Sequence, residues 1–236
     1  MFRHLARATC VLVSVVAGAG LARAGDVTGR IGLPEQAPKP PELVYKGYLD
    51  RQENASLAPR AFDPTPYIVV VLEPPAGATL PAPTGASWDV VGESFARPLL
   101  PVRNGSEVTV RNKSKRAVTL SVEGDPALIP AGPINPTGSR AFTPKAAGML
   151  TLTEADIPHL RGRLVVVDSP YFAVPDSKGN FTIKDVPPGE YKVKVWYVDE
   201  KGAGGWIDRP DDSVTQDKKG DATVNPKIPA YKVKAG

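Results

Sequence analysis

Twenty-six prolines and 22 glycines in 236 residues cut this chain into pieces too short for long helices. Proline removes a backbone donor and fixes φ, so it ends helices and is kept out of central strands. Between these breaks the text is apolar in short runs or alternates in the two-residue period of a strand, and no stretch carries the 3.6-residue period of an amphipathic helix. Strands are expected at 26–33, 67–72, 87–93, 99–102, 107–112, 117–122, 139–142, 149–153, 164–167, 169–174, 180–183 and 191–197. Residues 67–72 (YIVVVL) form an unbroken apolar, mostly β-branched run, the signature of a strand buried on both faces. Asn104-Gly105 is expected to turn a hairpin between 99–102 and 107–112. In 191–197 the alternation puts Tyr191, Val193, Val195 and Tyr197 on one face and lysines on the other, so one side should be wet. Short strands at regular spacing with turn residues between them argue an all-β sandwich.

Residues 1–24 have a basic start (Arg3, His4, Arg7), an apolar run from Cys10 to Leu21, and Ala22-Arg23-Ala24 as a small-x-small cleavage signal. The chain is expected to be exported with cleavage after Ala24, and to be periplasmic or secreted. The apolar run is too short to span a bilayer, which takes ~20 apolar residues, and no later segment does better. Cys10 is the single cysteine, so the mature chain has no thiol and no disulfide, and burial and hydrogen bonds must hold it in an oxidising compartment. Without the three leader arginines, 26 basic residues face 25 acidic ones. A nearly neutral chain lacks the basic footprint of a nucleic-acid binder, and none is expected as a partner. The small basic knots at Lys113, Lys115, Arg116 and at Lys192, Lys194, Lys201 read as solvated edges.

Two resemblances follow from particular residues. The segment DSKGNFTIKDVPPGEYKVKVW, from Asp176 to Trp196, resembles the carboxypeptidase-regulatory-like family of small immunoglobulin-type sandwiches, with its Gly-aromatic strand, Val-Pro-x-Gly turn and Tyr-led strand. Upstream, Ser94 to Val102 with Gly105, Val108 and Asn112, closing on Ala155 to Gly162 and Val165 to Val167, resembles the cupredoxin (plastocyanin-like) fold. The pairing is similar to exported bacterial proteins described as methylamine-utilisation-like. The resemblances imply an all-β chain: a Greek-key cupredoxin-like sandwich at 67–168 and a smaller immunoglobulin-like sandwich at 169–236, preceded by a leader at 1–24 and a strand with a Pro-rich connection at 25–66. The strand at 26–33 is also free to pair within the last sandwich, which would make the middle one an insertion. Residues 34–66 are explained by neither resemblance.

Copper-bearing relatives need a thiolate, two imidazoles and usually a thioether. Where the resemblance places Cys, His and Met, this chain has Ala155, Pro158 and Leu160, and the upstream His falls at Ala117 or Val118. No cofactor is therefore expected. His159 is the one mature histidine and the single candidate metal ligand, beside Glu154 and Asp156; the bland alternative is a loop histidine. Asp208, Asp211, Asp212, Asp217 and Asp221 contain only hard oxygen donors suited to calcium, without EF-hand spacing; a solvated hairpin tip is the competing reading. Catalysis by a nucleophile has no thiol, no Gly-x-Ser-x-Gly and one imidazole to draw on, so the chain is read as non-catalytic. Of the aromatics Tyr171, Phe172, Trp196, Tyr197 and Trp206, which could stack on sugar rings or fill a core, Tyr171 and Trp206 are the candidate ligand contacts. The sequence thus points to a binding or assembly protein of the cell envelope, with an envelope protein or a polysaccharide as partner. The competing readings are an atypical copper-binding or electron-transfer protein and a carbohydrate-binding module.

Overall fold

The computed structural model describes residues 24–32, 63–198, 204–207, 213–217 and 221–226. The leader, the Pro-rich connection with Tyr45 and Tyr48, and Asp208, Asp211 and Asp212 lie outside them. The described residues form strands β1 (Gly25–Arg30), β2 (Ile68–Glu73), β3 (Ala86–Val91), β4 (Ser94–Phe95), β5 (Leu99–Arg103), β6 (Val108–Asn112), β7 (Leu120–Val122) and β8 (Ser139–Phe142). They continue with β9 (Gly148–Glu154), β10 (Arg161–Val167), β11 (Phe172–Ala173), β12 (Asn180–Val186), β13 (Gly189–Val198), β14 (Gly204–Ile207), β15 (Ser213–Gln216) and β16 (Ala222–Val224). One 3-10 turn, Thr65–Tyr67, leads into β2. The fold is all-β, and among the described residues no helix is long and apolar enough to cross a membrane.

The strands make four sheets, in the orders β12-β1-β16, β11-β2-β13-β14 with β15 also on β13, β5-β10-β9-β7, and β4-β3-β6-β8. Side-chain alternation stacks them in that sequence, because two strands serve two cores at once. Ile68, Val70 and Leu72 of β2 join Val27, Phe181, Ile183, Tyr191 and Val193 between the first and second sheets. Val69 and Val71 turn the other way, meeting Leu99, Val165, Val167 and Trp196 between the second and third. Leu164 and Val166 of β10 then face Trp88, Val90, Val108 and Val110 between the third and fourth. Burying both faces is what selects continuous apolar text in β2 and β10, each such side chain contributing ~1.5–3 kcal/mol.

Three expectations need correction. Residues 67–72, assigned to the middle sandwich, pair instead with β13 and β11. Since β1 pairs with β12 and β16, β3 to β10 interrupt the sandwich that β1 and β2 begin. Asn104-Gly105 makes a tight turn, with Gly105 at φ 81°, but no hairpin: β5 pairs with β10 and β6 pairs with β3, both parallel. The turn crosses the core because Leu100 and Val102 must face Val108 and Val110 from the opposite sheet. The lysine face of β13 is wet only at its start, Lys192 being exposed and Trp196 buried in the middle core. Tyr197 packs partly buried on the opposite side, so neither aromatic of that pair is a free platform. Within the acidic stretch, β15 buries Val214 opposite Tyr191, while Asp217 and Asp221 are exposed. Asp221 accepts a hydrogen bond from the Asp26 backbone N–H at 3.1 Å, securing the start of β1.

Candidate binding site at the seam between the sandwiches

The loop after β9 is where the resemblance places metal ligands. Ala155, Asp156, Pro158 and His159 are exposed there, while Glu154, Ile157 and Leu160 are buried. Ala117 is exposed and Val118 is buried, bridged to Ile134 by backbone hydrogen bonds of 3.1 and 2.8 Å. Val118, Ile157 and Leu160 belong to the core between the third and fourth sheets, and hydrocarbon donates no lone pair to an ion. Glu154 is the buried carboxylate of this pole: Oε1 lies 3.5 Å from the Thr119 backbone N–H, and Oε2 is buried with no hydrogen-bond partner. The carboxylate that meets the His159 Nε2, at 3.1 Å, is that of Glu93, which also meets Arg116 at 3.3 Å. Among the described residues no three His, Cys, Asp or Glu side chains are grouped to hold a metal. The inward donor set therefore does not fit a type 1 copper centre.

The two aromatic candidates lie at the other feature of the molecule, the end of the seam where β2, β5 and β10 finish. β5 and β10 run in parallel register, Val102 opposite Val166 and Arg103 opposite Val167. Their ends open onto two cavities. The larger, about 630 Å³, is lined by Pro81, Arg103, Tyr171, Phe172, Lys184 and Pro187. The smaller, about 400 Å³, is lined by Glu73, Leu80, Gly148, Asp168, Lys194 and Trp206. Both volumes fall within the range of small-ligand sites, ~300–1,000 Å³. The proline-rich connection 74–85 contributes Leu80 to one and Pro81 to the other, and Arg103 holds it by donating to the Pro81 carbonyl.

Tyr171 is buried and stands edge-on to Tyr191, with centroids 5.7 Å apart at 86°. Burial pushes both phenols above their ordinary pKa, against the nearby Arg103 charge for Tyr171. The structure thus makes Tyr171 part of the wall of the larger cavity and does not bring it together with Trp206. Trp206 is 42% exposed. It sits opposite Trp196 in the β13–β14 ladder, edge-on at 5.1 Å and 84°. Lys194 on the adjoining β13 meets Glu73 at 2.9 Å, and Asp168 accepts from the Asn104 amide at 3.1 Å.

Arg103, Asp168, Lys184 and Lys194 escaped the reading of the sequence because strand pairings distant in the chain assemble them. One signal was present for Lys194: two residues from Trp196, it shares that residue's face of β13.

The sequence matches no known family profile and no curated protein. Solved structures similar to part of it include a point mutant of amicyanin in its reduced state (20% identity, 38% of this chain, 97% of that chain, TM-score 0.33). Amicyanin from Paracoccus versutus is 13% identical over 43% of this chain and 98% of its own, with a TM-score of 0.31. A purple cupredoxin from Nitrosopumilus maritimus is 15% identical over 35% of this chain and 99% of its own, with a TM-score of 0.32.

Proposed function

We propose that this chain is an exported, non-catalytic binding or assembly protein of the cell envelope, and that it binds through the end of the seam between its two sandwiches. The observation that carries this reading is the pair of cavities flanking residues 74–85, which hold both aromatic candidates and charged side chains from separate elements. Clefts at module boundaries are favoured ligand sites. The sandwich pole at Val118, Ile157 and Leu160 is packed as core, which speaks against an electron-transfer role. His159 is engaged by Glu93 in an exposed pair, which gives no support to a catalytic relay. Export rests on the leader at 1–24, with its basic start, apolar run and small-x-small cleavage signal, and cleavage after Ala24 would leave β1, which begins at Gly25, whole.

The test is fractionation of the native cell with N-terminal sequencing, joined to photo-crosslinking from a benzophenone side chain at Leu80. An envelope or extracellular chain starting at Gly25, with a discrete adduct from Leu80 and none from Thr215 on β15, is the expected result. Retention in the cytoplasm with the leader intact, or no adduct, overturns it. A titration with Cu(II) that gives a coloured stoichiometric centre would revive the copper reading.

A further inference from the structure

We propose that the smaller cavity is a saccharide site, in which Trp206 takes the face of a neutral pyranose ring with equatorial hydroxyls and Asp168, Glu73 and Lys194 take the hydroxyls. This rests on the reading of the seam end as a binding face and names its ligand. Among the described residues the exposed large hydrophobics are Val91, Val174 and Trp206, and of these only Trp206 lines a cavity described above. Its ring is fixed in advance by the buried Trp196, edge-on at 5.1 Å. A preset ring gives up little conformational freedom on binding.

The polar groups around it select the ligand. An all-equatorial pyranose presents axial C–H groups, slightly positive, on a flat face, which suits the negative face of an indole. Around its rim it carries hydroxyls that both donate and accept. Asp168 uses Oδ1 for the Asn104 amide and Glu73 is shared with the Lys194 ammonium, so carboxylate lone pairs and ammonium protons still serve hydroxyls. An apolar peptide side chain would satisfy Trp206 but strip water from these charges without replacing it, which is costly. Two carboxylates against one ammonium also disfavour an acidic glycan.

The test is calorimetric titration of the purified chain with cellohexaose and chitohexaose, and with trigalacturonate as the anionic probe. Saturable binding of at least one neutral hexamer is expected, with trigalacturonate weaker by about tenfold or more. Trp206→Ala should weaken binding by about tenfold or more, as for a central aromatic anchor, and Trp206→Tyr should restore part of it. Asp168→Ala should weaken it with near-UV circular dichroism unchanged, and Thr215→Ala, exposed on β15 and outside both cavities, should leave it unaltered. No saturable heat with either hexamer, or undiminished affinity in a natively folded Trp206→Ala, overturns the saccharide site. A protein adduct from Leu80 together with no saccharide binding overturns this inference alone and leaves the seam as a protein-binding face.

Discussion

Replacing Gly162 by alanine should destabilise the protein, although an alanine normally favours a strand over glycine. Gly162 lies inside β10, opposite Leu152 of β9. A Cβ built there meets Trp88 at 2.5 and 2.7 Å and Phe95 at 2.6 Å, about 1 Å inside an ordinary carbon contact of ~3.5–4.0 Å. Neither ring has an easy retreat. Trp88 is buried and donates its indole N–H to the Arg97 carbonyl at 2.9 Å, and Phe95 stacks on it at 4.2 Å. Overpacking of this kind costs ~1–3 kcal/mol, and two constrained rings place it in the upper half of that range. Against it stands a gain of ~0.4–1 kcal/mol from a less flexible unfolded chain. The balance is a loss of about 1–2.5 kcal/mol, or a melting temperature lower by about 2–10 °C for a domain of this size. Scanning calorimetry of the variant reads this directly. Phe95→Leu in the same chain should recover part of the loss, giving a favourable coupling of ~0.5 kcal/mol or more in a double-mutant cycle. A Gly162→Ala protein as stable as the parent, or strictly additive energies, would refute the packing argument.

The remaining predictions concern polar groups. Asn112 is fully buried, donates to the Arg116 and Ile134 carbonyls at 2.8 and 2.7 Å, and accepts from the Ser114 backbone and hydroxyl at 2.9 and 2.6 Å. Asn112→Ala strands several of these partners at ~1–3 kcal/mol each, so a total loss of about 3–5 kcal/mol is expected in urea unfolding. Glu154→Leu removes a buried oxygen that has no partner, and should leave the melting temperature equal or higher; a fall beyond ~1 kcal/mol would show that this carboxylate is needed where it lies. Asp89 is held below the ordinary aspartate range by hydrogen bonds first from Arg111 and then from Lys113. A lowered folded-state pKa stabilises the protein above the unfolded value of ~3.9 and loses that contribution as pH falls through the folded value. Asp89→Asn should therefore lower stability at neutral pH by a small amount, given the exposed partners, and the gap to the parent should close in acid unfolding below about pH 4.

What could be read from the sequence, and what could not, divides along a physical line. The apolar run Val69-Val70-Val71 states that both faces of a strand are covered, and the strand is buried on both. It does not state what covers them. The same two-residue period admits a strand in either sandwich, so 67–72 fitted the middle one until its pairing with β13 placed it in the other. Likewise Asn104-Gly105 dictates a reversal of the chain through Gly105, but whether the two arms pair or part across a core depends on Leu100, Val102, Val108 and Val110 burying one another from opposite sheets. The candidate site follows the same rule. Trp206 could be singled out as an aromatic able to stack on a ring, yet Asp168, just past the end of β10, and Lys194, opposite Val71 within β13, reach it only because the sheets holding β10 and β13 stack on one another. A site assembled at the ends of strands from two sandwiches is set by long-range pairing, and long-range pairing is what local periodicity leaves open.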